Sequence, residues 1–256
     1  MTGPRHTALA VLLVAGVLPL AACAGTAADA PPPPSGIDLD GFDPAAVPGN
    51  GLWLQDGAAA AAEVVRAARA ADTVTCSGSF TELTAGTPDT EPAAGRTLHV
   101  EFAGGVGEAS ATISAGDLEL ELVVVGGRTF VRGNAAYAAH TGIPEVEQGY
   151  VCSVGESALL EEWAPLLRPA DLVESLLDGA ESFAVESPVG DAPTVELVVG
   201  ASDAPVGALT VERTGAPLPV AFAAGDGTGD GAFTFSGWGD AVDVAAPADP
   251  VVGCDS

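Results

Sequence analysis

The chain has 256 residues, eight arginines, no lysine and 35 carboxylates, which gives a formal net charge of −27. Such acidity excludes nucleic acid as a partner and excludes electrostatic attraction to anionic head groups. An apolar share of 48%, arranged periodically, excludes disorder for the main body.

The N-terminus carries Arg5 and then the run ALAVLLVAGVLPL from Ala8 to Leu20. At about 13 residues this run is too short to span a hydrocarbon layer of roughly 30 Å, and it has the proportions of a secretory h-region. It ends on Leu20-Ala21-Ala22-Cys23, the form of a bacterial lipobox, in which the cysteine thiol accepts a diacylglyceryl group. Residues 1–22 are therefore read as a lipoprotein signal peptide, and Cys23 as the acylated first residue of the mature chain. Several palmitate-type chains together give stable anchoring where one gives only marginal binding. Removing the signal leaves seven arginines and a net charge of −28. Residues 23–51, with four prolines at 31–34, read as a Pro/Ala/Asp-rich tether, and residues 52–256 as a single folded domain. The expected location is the extracytoplasmic face of a cell membrane.

Within the domain, Asp56 caps a helix through AAAAAEVVRAARAA. Strand patterns follow at 73–80, 96–103, 108–114 and 117–125. In the last of these Leu118, Leu120 and Leu122 alternate with Glu119 and Glu121, the mark of a sheet with one buried and one wet face. Gly126-Gly127 is a two-residue hairpin signal leading into 128–133. Segments 134–142 and 156–167 have helical spacing. In RPADLVESLLDGAESF (168–183) Pro169 opens a helix, Leu172, Val173, Leu176 and Leu177 make one face, and Gly179 stops it. Strands resume at 182–187, 193–200, 207–214, 218–225 and 231–239. The expected fold is α+β: a strongly curved antiparallel sheet of about ten strands, with helices packed on one face.

Catalytic chemistry has no anchor. G-x-S-x-G, H-E-x-x-H and S-x-x-K are absent at usable positions, His99 stands on the polar side of a strand beside Glu101, and His140 follows a short helix. The chain is read as no enzyme, without metal or cofactor. The acidic groups Asp38, Asp40 and Asp43, and Asp226 with Asp230, read as linker and hairpin tip rather than calcium loops. With Cys23 assigned to the anchor, Cys76, Cys152 and Cys254 remain, an odd number for an oxidising compartment. Cys76 and Cys152 both lie in strand-like segments and are the favoured pair, with Cys254 as the alternative partner. The candidates for an apolar cavity are Leu120, Leu122, Val124, Phe130, Val195, Leu197 and Val199, faced by Leu172, Leu176 and Leu177. Alternation by itself fits a cavity and a filled core equally. The many Ala, Val and Gly side chains leave room that Leu or Phe would fill.

The lipobox, the alanine-rich first helix, VVVGGRTFVRGNAAY, RPADLVESLLDGAESF, GALTVERTGAPLPVAF and the closing FTFSGWGDAVDVAAPADPV follow one another in a telling order. In that order the sequence resembles LppX/LprG/LprA/LprF-type lipoproteins of actinobacteria, over roughly residues 52–252. The resemblance implies a half-open barrel related to the LolA/LolB carriers, with helices on its concave side. It also implies a cavity that holds lipids or lipoglycans and moves them across the envelope. The chain departs from that pattern in its three further cysteines, its lack of lysine and its shorter loops. The expected function is thus a membrane-anchored extracytoplasmic lipoprotein that binds a lipid or acylated glycolipid in an apolar cavity and carries it within the envelope. It is expected to be a monomer, with the membrane and an envelope transporter as its partners. The alternative is a non-enzymatic envelope interaction or structural lipoprotein with a filled core and no ligand.

Overall fold

The computed structural model describes residues 49–84, 93–154, 158–178, 180, 182–201, 204–225, 230–248 and 251–254. Leu20, Ala21, Ala22, Cys23, the acidic group at 38–43 and the tether up to residue 48 lie outside the described residues, as does Asp226.

After a 3-10 turn at Leu52–Leu54, helix α1 runs Gly57–Ala71. It begins where the sequence placed it: the Asp56 carboxylate accepts the Ala59 N–H at 3.0 Å, satisfying one of the free donors of the first turn. Its buried face is Ala60, Ala61, Val64, Ala67 and Ala68, small side chains that let the helix lie close to its neighbours.

The strands are β1 (Thr73–Thr84), β2 (Ala93–Gly105), β3 (Ala109–Ala115), β4 (Leu118–Val125), β5 (Arg128–Gly133) and β6 (Tyr150–Val154) in the first half. The second half supplies β7 (Phe183–Val185), β8 (Thr194–Ala201), β9 (Ala204–Glu212), β10 (Pro219–Gly225), β11 (Asp230–Ser236) and β12 (Val251–Gly253). Between the halves come α2 (Ala135–Thr141), α3 (Glu145–Gln148), a 3-10 segment Ala158–Leu167, and α4 (Pro169–Leu177). All twelve strands form one open sheet in the order β12-β6-β5-β4-β3-β2-β1-β11-β10-β9-β8-β7. The expected ten strands become twelve because β6 and β12 join one end. Pairing is antiparallel except at β12–β6, which is parallel. Gly126 and Gly127, at φ 59° and 70°, make the tight turn that sets Val125 opposite Arg128.

Register decides which side chains share a face. Cys76, Phe102, Ala111 and Leu122 are successive cross-strand partners on the inner face, and they join one continuous buried cluster with α1, α2, α4 and the 3-10 segment. Thr75, Ser77, Glu101, Thr112 and Glu121 alternate with them on the outer face.

The segment with helical spacing at 156–167 is a 3-10 helix over Ala158–Leu167, with 156 and 157 outside the described residues. Pro165 lacks an N–H to donate and restricts the backbone of the residue before it, both of which work against an α-helix there. Helix α4 opens with Pro169 and ends at Leu177, where Asp178 turns extended, two residues short of Gly179.

The favoured cysteine pairing is corrected. Cys152 is bonded to Cys254, with Cα atoms 5.3 Å apart, and Cys76 is free and buried. Cys76 lies on the inner face of β1 and Cys152 on the outer face of β6, opposite Phe130. The two strands are five steps apart in the sheet and the two side chains point to opposite faces, so their sulfur atoms are not placed to bond.

Candidate functional site

The apolar interior is built from a floor and a roof. The floor is the inner face of the sheet. Leu120 and Leu122 of β4 and Val195, Leu197 and Val199 of β8 point into it because even positions of β4 and odd positions of β8 share that face. Leu172 and Leu177 of α4 meet the same buried cluster, while Val124 and Leu176 are partly buried against it. The structure thus brings together nine of the ten expected lining residues.

Phe130 is the correction. It sits with Tyr150 and Cys152 in a separate small cluster on the outer face. Thr129, Phe130 and Val131 are all buried, so burial cannot reveal their faces; the hairpin register, Leu122 opposite Val131 and Val123 opposite Phe130, does.

Over the floor lies the 3-10 segment, in contact with β2 and α4. Among its described side chains the buried ones are Leu160, Trp163 and Leu166, at a spacing of three that suits the three residues per turn of a 3-10 helix. Trp163 is 1% exposed, and the Arg96 guanidinium from β2 stands 5.5 Å from its ring centroid. Sequence reading had not singled out Trp163; the Leu-x-x-Trp-x-x-Leu spacing was the available signal.

Chemically the interior is apolar. Among the described residues, its side-chain polar atoms come from Thr129 and from the hydroxyl and indole groups of buried rings such as Tyr137 and Trp163. Cys76 projects into the inner face, and burial pushes its thiol pKa up to about 12. A thiol held protonated in an apolar setting is neither a nucleophile nor a metal ligand. Native protein at mildly alkaline pH is therefore expected to resist iodoacetamide at Cys76 and to take up one equivalent there once unfolded, as read by mass spectrometry. Fast labelling of the native chain would contradict this environment.

The outer face carries the charges. Glu121 accepts two hydrogen bonds from Arg132 Nη2, at 2.7 and 2.8 Å, and one from the Tyr150 hydroxyl at 2.9 Å. Arg132 also lies over the Tyr150 ring at 5.1 Å. The Arg132 hydrogen bonds, opposed in part by desolvation, hold the Glu121 carboxyl below its ordinary 4.5. A depressed carboxylate pKa stabilises the fold above the ordinary value, and that contribution is lost as pH falls through the lowered one. Both partners are about 40% exposed (38% and 44%), so Glu121→Gln is expected to lower stability at neutral pH by less than about 1 kcal/mol. The difference should vanish on acidification below the carboxylate range in paired urea melts. Arg132 and Tyr150 were missed from the sequence, although counting back across the Gly126-Gly127 turn puts Arg132 opposite Glu121. Next to this group the outer face has a concavity of about 410 Å³, lined by Thr75, Ser77, Glu101, Thr112 and Tyr150 among others.

His99 is exposed on β2 and His140 exposed in α2. Among the described residues no group of three or more His, Cys, Asp or Glu side chains is arranged to hold a metal, and no helix is long and apolar enough to cross a membrane.

These features define an α+β domain with one open sheet, apolar and roofed on one face and polar on the other. Among solved structures the chain is similar to LprF from Mycobacterium bovis. The two share 11% identity over 76% of this chain and 100% of that one, with a TM-score of 0.35. A superposition that loose leaves the interior to be understood from this chain's own residues. No family model matches the chain, and no curated protein does.

Proposed function

We propose that the chain is a lipid-anchored extracytoplasmic lipoprotein whose apolar interior takes the acyl chain of a lipid or acylated glycolipid and carries it within the envelope, with no enzymatic step. The observation that carries this reading is the roof. A ten-residue 3-10 helix is long for its kind and has poorer hydrogen-bond geometry than an α-helix. It lies over apolar side chains of the sheet's inner face. Displacing it uncovers the floor at β2 and the side of α4, and an acyl chain that replaces its side chains gains roughly 0.8 kcal/mol per buried methylene. Cys23 supports the same reading, since a carrier tethered by its own acyl chains stays beside the bilayer that holds its cargo.

Native mass spectrometry of the full chain, gently extracted from the membrane of the cells that make it, tests this. The expected result is a population heavier than the acylated polypeptide by the mass of one lipid, released on activation. A bare chain under conditions that preserve a control lipid carrier would sink the reading. It would favour an interaction or structural lipoprotein, for which the continuous packed cluster of the interior speaks. In that case charge reversal at Glu119 and Glu121 would abolish function.

A further inference from the structure

We propose that the Cys152–Cys254 disulfide is a latch: it holds the C-terminal strand as a cover over one edge of the sheet, and the uncovered edge pairs with the same edge of a second copy of the chain.

The cover is short. Strand β12 is three residues long and runs parallel to β6, pairing Val251, Val252 and Gly253 with Tyr150, Val151 and Cys152. Parallel ladders are slightly weaker per residue than antiparallel ones. Its end is bent to reach the bond. Gly253 has φ 88°, and a Cβ there would stand 2.5 Å from the Cys152 carbonyl oxygen. Cys254 has φ 57°, a left-handed conformation that side chains other than glycine seldom adopt. A residue held this way persists only where its surroundings enforce it, and Cys254 is tied to Cys152 by the bond. Cys254 also packs on the small outer-face cluster of Phe130, Tyr150 and Cys152.

Opening the latch has one outcome. A dithiol reductant of the thioredoxin type attacks the disulfide through one thiolate and forms a mixed disulfide. Its second thiolate then displaces the remaining cysteine. The reductant leaves as a disulfide, and Cys152 and Cys254 each take up one proton, two electrons and two protons in all. Cys76 cannot intercept the exchange, because it is buried on the opposite face and five strands away.

The freed edge is fit for self-pairing. Strand β6 is five residues long against the three of β7 at the other end of the sheet. Its sequence, Tyr-Val-Cys-Ser-Val, has no charge, proline or lysine, in a chain with 35 carboxylates. Edge strands usually carry such residues to block association. Val154 at its end is already 72% exposed. Two copies of β6 meeting antiparallel about a two-fold axis make a closed dimer, with no like charges brought together along the strand.

The test uses the full chain in detergent, with mass read by native mass spectrometry and edge protection by hydrogen exchange. Oxidised protein is expected to be monomeric with protected amides in β6. Treatment with dithiothreitol, or the Cys152→Ser/Cys254→Ser change, is expected to double the mass, and reoxidation of the wild type to restore the monomer. Adding Val154→Lys to the serine variant should return it to a monomer. The inference is overturned if the reduced, folded wild type stays monomeric at its highest soluble concentration. It is equally overturned if the dimer is indifferent to Val154→Lys. Should the serine variant not fold, the reduced wild type decides: β6 amides that lose protection without any gain in mass refute the pairing.

Discussion

Trp163→Ala is expected to lower the free energy of unfolding by about 3–5 kcal/mol, the range for removing a large buried aromatic side chain. The residue is 1% exposed and lies between Leu160 and Leu166 on the buried side of the 3-10 segment. Neighbours on a sheet floor cannot collapse far to fill the space, which places the effect high in the range. The ring also gives Arg96 its stacking surface, so the change loses that contact as well. The second readout is functional. If the segment is the movable roof of a lipid site, loosening it should speed the release of a fluorescent fatty acid to acceptor vesicles. Slower release, or release at the wild-type rate by protein that binds the probe, would count against the roof as the entry.

Leu197→Ala is expected to lower stability by about 2–5 kcal/mol without speeding release. Leu197 is wholly buried on β8, paired with Val185 of β7 and Leu209 of β9, so it belongs to the floor on the far side from β2. Urea melts should show a lower midpoint at unchanged slope, since the surface exposed on unfolding barely changes. The contrast between the two variants separates loss of stability in general from loosening of the roof. Equal acceleration of release by both would mean that lipid leaves by global opening.

The elements that were legible in the sequence are those encoded locally. Asp56 announces α1 through its own side chain, Pro169 opens α4 with its fixed φ, and Gly126-Gly127 sets a register that places Glu121 opposite Arg132. The alternation of Leu118 to Leu122 gave the face of β4. What was not legible depends on partners distant in sequence. Val251–Gly253 is too short a run to be read as a strand from the sequence; its pairing is with Tyr150–Cys152, about a hundred residues away, beside the Cys152–Cys254 bond. The favoured Cys76–Cys152 pairing rested on both residues being in strands, which says nothing of the four strands between them. Phe130 was assigned to the wrong face because Thr129, Phe130 and Val131 are buried together, on an inner core and an outer cluster at once. The interior residues of β4, α4 and β8 gather as expected. The 3-10 form of the segment that covers them was hidden by an apolar pattern compatible with either helix type.

The position of β1 has a consequence for how the domain comes into being. The strand lies mid-sheet, between β2, its neighbour in sequence, and β11; Ser77 and Thr234, whose hydroxyl groups are 3.0 Å apart across that second pairing, are separated by 157 residues. Strands β1 to β6 can assemble as successive hairpins, and so can β7 to β11, but the seam between these two sets closes only across the whole chain. Contacts of that separation make folding slow. A polypeptide that emerges from its N-terminus leaves one side of β1 waiting until Ser236 has arrived. Synthesis thereby imposes a delay on this fold, and a chaperone that shields the waiting strand would act at the step where time is lost.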